Sequence, residues 1–159
     1  MRFLILSDIH ANLEALEAVV ADAKGLYQQV VCLGDIVGYG ADPNAATEWV
    51  QANCAAVIRG NHDRAAIDLE EARRFNPVAA LATAWTNSVL ENRHQDYLRK
   101  LAVGPLRVAS FDMVHGSVLD EDQYVVSPTD AVEPLRAQTA DIVFFVWRVD
   151  TVIILTKAD

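Results

Sequence analysis

Three times before Ala65, this chain runs a short apolar segment into a loop of Gly, Asp, Asn or His, and no other feature limits its fold as much. "RFLILSD" reads as a buried strand, and "NLEALEAVVADAK" sets Leu13, Leu16, Val19 and Val20 on one face of a helix that starts after Asn12. "QVVCLGD" repeats the strand, a glycine-rich loop follows, and "PNAATEWVQAN" starts a helix at Pro43, where a missing N–H does no harm. "AAVIRG" supplies the third strand and "NHDRA" the loop after it. Strands alternating with helices in this way imply a layered α/β sheet. Such a sheet gathers ligand groups beyond the carboxyl ends of its strands.

The grammar then changes. "FNPVAALATAWTNSVLENRHQDYLRKL" is helical in composition with a break around Ser88 to Asn92, which predicts two helices forming a small cap or flank. "GPLRVAS" and "FDMVHGS" read as adjacent strands. "SPTDAVEPLRAQT" reads as a helix from Pro128 that Pro134 interrupts, and "DIVFFVW" and "TVIILTK" as two closing strands. No repeat, linker or low-complexity segment marks a boundary, so residues 1–159 are expected to form a single domain. With 52% hydrophobic residues, such a domain buries a core without staples. Cys32 and Cys54 have neither disulfide nor zinc-knuckle spacing, which points to a reducing cytoplasm. The N-terminal apolar run is too short for a signal peptide or a membrane span. A net charge of −9 argues against a broad basic face for nucleic acid or anionic lipid, and suits a site that collects cations.

The strand ends carry the chemistry. Asp8 and His10 follow the first strand, Asp35 the second, and Asn61, His62 and Asp63 the third, while "VHGS" can bring His115 to the same rim. Carboxylate, imidazole and amide oxygen together suit Mn²⁺, Fe or Zn²⁺ better than the all-oxygen shells of Ca²⁺ and Mg²⁺. Two cations about 3.5 to 4 Å apart can ionise a bridging water at neutral pH and clamp the oxygens of an in-line displacement at phosphorus. Each residue also has a plainer reading alone: Asp8 as a helix cap, Asn61 and "GDIVGYGADPN" as turn chemistry, His115 as a satisfied strand histidine. Their ordered convergence favours the site. Trp49, Trp85 and Trp147 read as core or flank packing, "DLEEARR" as a solvated helix end, and "LDEDQY" as a solvated loop.

"DIH" at Asp8 to His10, "GDIVGYG" at Gly34 to Gly40, "GNHD" at Gly60 to Asp63 and "VHGS" at Val114 to Ser117 together resemble the ordered blocks of the calcineurin-like metallophosphoesterases. "GDIVGYGADPN" and "FNPVAALATAWT" are closer to the small bacterial and archaeal phosphodiesterase branch. The resemblance runs from Met1 to about Phe145. It implies a layered β-sandwich flanked by helices, and hydrolysis of a phosphodiester or phosphomonoester, a small-molecule substrate, by a hydroxide bridging two divalent metal ions. Mn²⁺ is the first expectation for those ions, with Fe, Zn²⁺ or Ni²⁺ also compatible. It further implies that Asp8 and His10 hold one ion, Asp35 bridges both, and Asn61 and His115 hold the second. His62 would stand by the leaving group as a protonated imidazole, with Asp63 helping to position it. Arg64 is a candidate phosphate contact only by its place next to the site.

One block is missing. After a strand like "DIVFF" the family carries Gly-His-Thr-His or a near variant, whereas here Phe145 runs into "VWRVDTVIILTKAD". The resemblance therefore implies a segment lost between Phe145 and Val146, each ion one imidazole short, and impaired activity. A scaffold that kept the fold and lost the chemistry is the rival expectation. Oligomeric state is left open by the sequence.

Overall fold

The computed structural model describes residues 1–120, 122–123, 125, 127–146 and 152–156. β1 (Phe3–Leu6), β2 (Gln29–Cys32) and β3 (Cys54–Val57) form a parallel sheet in that order. Helices α1 (Leu13–Asp22) and α2 (Pro43–Asn53) make the two crossovers. Asn12 caps α1 by accepting from the Ala15 N–H at 3.0 Å, and Pro43 opens α2, as their sequence positions predict. β4 (Leu106–Val108), β5 (Phe111–Met113), β6 (Ile142–Val146) and β7 (Val152–Thr156) form a second sheet of mixed direction, β5 and β6 being its parallel pair.

Side-chain alternation along β2 explains the layering. Val31 points with Leu33, Ile58, Phe111 and Met113 into the space between the two sheets, where Phe111 meets Phe3 and Phe144 edge-to-face at 5.1 and 5.0 Å. Val30 and Cys32 point the other way, onto Leu16, Val50 and Leu98 beneath the helices. A third cluster, Val114, Ala131, Val143 and Phe145 among it, lies on the far face of the second sheet. The result is two sheets face to face with helices outside, the sandwich that the resemblance implies.

Three local expectations change. "NHDRA" is not a loop: Asn61–Ile67 forms α3, because the Gly60 backbone stays extended and the Gly60 N–H is taken by Asp63, which starts a helix directly after the strand. Pro134 does not interrupt its helix. α6 (Pro128–Ala137) passes through it, capped at Ser127. The acidic run after α3 ends in a 3₁₀ turn, Glu71–Arg74, which leads into α4 (Pro77–Val89) and α5 (Asn92–Lys100), the expected helical pair. His94 is buried, with Nδ1 2.8 Å from Asn44 Oδ1. Trp147 lies outside the described residues.

Candidate metal centre

The loops after β1 and β2 are laced together before any side chain is considered. The Asp8 N–H donates to Gly34 O at 3.1 Å, His10 N–H to Asp35 O at 2.9 Å, and Ala11 N–H to Ile36 O at 2.8 Å. This path requires left-handed backbone at Asp8 (φ 53°), His10 (48°), Ala11 (56°), Asp35 (53°) and Tyr39 (44°), a conformation that costs L-residues energy and collects at functional sites. Gly34 (φ 98°) and Gly60 meet back to back, so a Cβ on Gly34 would strike the Gly60 backbone and one on Gly60 would strike the Asp35 carboxylate. That close approach brings the third loop against the second.

Side chains then converge. Asp8, His10 and Asp35 each offer a ligand atom, all within 4.8 Å of one another. His10 Nε2 stands 3.7 Å from both Asp8 Oδ1 and Asp35 Oδ2. On the other side of Asp35, His115 Nε2 is 3.4 Å from its Oδ2 and 3.0 Å from Asn61 Oδ1. Both imidazoles are oriented alike: His10 Nδ1 donates to Val37 O at 3.1 Å and His115 Nδ1 to Leu33 O at 2.8 Å, leaving each Nε2 turned toward Asp35. A backbone carbonyl on one ring nitrogen is how a protein fixes the tautomer of a metal-ligating histidine. The structure thus brings Asp8, His10, Asp35, Asn61 and His115 into one cluster around Asp35.

The cluster is short of positive charge. Burial works against the charged form of Asp35, yet His115 above all, with His10 and His62 beside it, holds its carboxyl down at about 2. Burial likewise opposes charge on His115, but Asp35 and Asp8 raise it to about 10. The Asp8 carboxyl is pushed up, first by burial and then by the Asp35 charge. A proton on His115 Nε2 therefore sits between two acceptors, Asp35 Oδ2 and Asn61 Oδ1, where a cation would satisfy them better, and the mixed N and O donor set fits a divalent transition ion. Metal binding at pH 7 is expected to release about one proton from His115, with affinity rising about tenfold per pH unit and levelling off above about 10. Calorimetry in two buffers of different ionisation heat would show this, and no difference between the buffers would refute it.

His62 stands beside the cluster in an aromatic stack, 4.5 Å from Phe75, 4.8 Å from Tyr39 and 4.9 Å from His10 between ring centres. Burial, only partly offset by Asp35, lowers it to about 4, so the expected imidazolium is a neutral ring in the free chain at neutral pH. Asp63 also differs from expectation. Its Oδ1 accepts from the Ile36 and Val37 N–H groups at 2.8 and 3.1 Å and its Oδ2 from the Gly60 N–H at 3.0 Å, while among the described residues His62 Nδ1 has no hydrogen-bond partner. Asp63 fixes the loops around His62 rather than its imidazole. Burial and the Asp35 charge push the Asp63 carboxyl up to about 7 against the pull of those N–H groups.

Arg64, expected near the phosphate, is paired: Asp122 takes its guanidinium at 2.7 and 2.8 Å and Glu71 lies at 3.3 Å. The sequence treats both carboxylates as parts of solvated runs. Nothing local in either run signals the pair, since Arg64 and Asp122 are 58 residues apart.

A family model described as calcineurin-like phosphoesterase matches residues 1–156. The crystal structure of a metallophosphoesterase from Sphaerobacter thermophilus superposes with a TM-score of 0.79 at 38% identity, covering 91% of this chain and 59% of that one. MJ0912, an uncharacterized protein of Methanocaldococcus jannaschii, is 44% identical over 99 residues, 61% of this chain and 40% of that protein. The chain therefore spans less than two thirds of the length of these relatives.

Proposed function

We propose, from the premise that this chain belongs to the calcineurin-like phosphoesterase family, that its cluster of strand-end residues is a metal-dependent phosphoesterase site acting on a phosphodiester or phosphomonoester. The observation that carries the proposal is the arrangement around Asp35, where two imidazole Nε2 atoms, locked by backbone carbonyls, face a shared carboxylate. Asp8 and His10 would hold one ion, Asn61 and His115 a second, and Asp35 would lie between them. Mn²⁺, Fe, Zn²⁺ or Ni²⁺ suit these donors. Bound there, such ions supply Lewis acidity and a water acidic enough to ionise near neutral pH.

The chain's own residues do the rest. Asp35 keeps negative charge at the centre, and its Oδ1 also accepts from the His62 N–H at 2.9 Å, tying the leaving-group side to the metal side. His62, neutral at pH 7, donates a hydrogen bond to the departing oxygen, and the Tyr39 and Phe75 rings keep it from turning away. Two free cysteines, Cys32 buried and Cys54 half-buried, accord with a reducing cytoplasm, and among the described residues no helix is long and apolar enough to cross a membrane.

Nitrophenol release from bis-p-nitrophenyl phosphate with added Mn²⁺ tests the proposal, with Asp8→Ala as the control. Metal-dependent release lost in the variant is expected; equal release by both chains, or none from either, would overturn it. A second reading is favoured by one observation: β6 pairs antiparallel with β7, Val146 opposite Val152, at the place where the resemblance implies two more histidines. On that reading residues 1–159 are one domain that lost a segment after Phe145, and act as a scaffold. If the site is active despite the loss, turnover is at least about 10 to 100-fold below that of a full ligand set.

A further inference from the structure

A cavity of about 360 Å³ opens beside His62, between the loop after β2 and the start of α4. Its volume falls in the range of small-molecule sites, about 300 to 1,000 Å³. Two aromatic faces border it, Tyr39, 48% exposed, and the half-buried Phe75, with His62 between them. Its charges are already matched. Arg64 is held by Asp122 and Glu71, and Arg74 lies 3.8 Å from each of the same carboxylates, so among the described lining residues two guanidinium groups face two carboxylates.

A balanced pair of ion pairs has little to offer a second phosphate or a carboxylate, because any new anion must compete with Glu71 and Asp122 for the same N–H groups. Aromatic rings that line a cavity, by contrast, attract any flat ring, and do so without reading its hydrogen bonds. We propose that this cavity receives the leaving group of the phosphate ester and selects one that is planar and uncharged, an aryl or nucleoside group, with Tyr39 and Phe75 as its stacking faces. The inference rests on the phosphoesterase reading for its phosphate end and on the cavity for its ring end. It makes substrates that carry further phosphates beyond the scissile bond poor ones.

Non-hydrolysable phosphonates test the ring end by binding alone. Saturation-transfer and titration NMR on the Mn²⁺-supplemented 159-residue chain, with diamagnetic Zn²⁺ in parallel, would compare phenylphosphonate, methylphosphonate and 4-phosphonobenzoate. Phenylphosphonate is expected to bind about tenfold tighter than methylphosphonate, with the added carboxylate bringing no gain. Phe75→Ala should collapse the phenyl-to-methyl ratio toward one. Tyr39→Ala, at an exposed position, should do the same if the Phe75 variant fails to fold. Equal affinities, a tighter 4-phosphonobenzoate, a ratio unmoved by both variants, or no binding of any probe would each overturn the inference. The two proposals fail separately: the expected ranking without nitrophenol release from the diester sinks only the phosphoesterase reading, whereas release with equal affinities sinks only this one.

Discussion

Asp35→Asn is expected to lower metal-dependent turnover by at least about 100-fold while leaving the chain folded. The substitution keeps an amide oxygen where Oδ1 accepts from the His62 N–H at 2.9 Å, so the leaving-group loop retains its anchor. What it removes is the charge facing both imidazoles, His10 at 3.7 Å and His115 at 3.4 Å. Elemental analysis of the purified variant should show bound metal falling with activity. A second readout separates this from simple damage. Asp35 is the main group raising His115 to about 10 against burial, so without it the imidazole should titrate far lower, as NMR of the metal-free chain would report. A variant with parental turnover and metal content would show that Asp35 is not the shared group.

Asp63→Ala should be the most destabilising single change at this rim. The carboxylate is fully buried and accepts from three backbone N–H groups, those of Ile36, Val37 and Gly60. Leaving a buried donor unpaired costs about 1 to 3 kcal/mol, so three should cost on the order of 3 kcal/mol or more, a large share of the roughly 5 to 15 kcal/mol that holds a domain folded. Asp63→Asn keeps one acceptor oxygen and should lose less. Urea midpoints of the metal-free chains would rank the three proteins. A midpoint for the alanine variant within error of the parent would mean that the loops do not depend on this brace.

The parts legible in the sequence are those written as contiguous patterns. Apolar runs ending in Asp, Asn or His give the strands and the rim, because a strand delivers whatever follows it to one edge of the sheet. The paired helices of the cap and the cap residues Asn12 and Pro43 are local signals as well. Long-range pairing left no such trace. Glu71 and Asp122 sit in runs that read as solvated, and only the folded chain sets them on Arg64. Asp63 misleads for a related reason: beside His62 in sequence it invites a catalytic reading, but α3 turns its carboxylate back onto the backbone of residues 36–37. The short helix itself is hidden because Gly, Asn, His and Asp are turn formers too.

One hydrogen bond, from His115 Nδ1 to Leu33 O, spans 82 residues and joins the second sheet to the first. Asp8, His10, Asp35 and Asn61 all come from the opening strand-and-helix units, whose contacts are near in sequence and cheap to close. His115 arrives only when the two sheets meet. A nascent or partly folded chain can thus carry four of the five groups, while the fifth must wait for the slowest, most non-local event in folding. Ion capture at the completed centre would then report that the sandwich has closed, and a mutation between the sheets at Val31 or Phe144, neither of them a ligand, would act as a metal-affinity mutation.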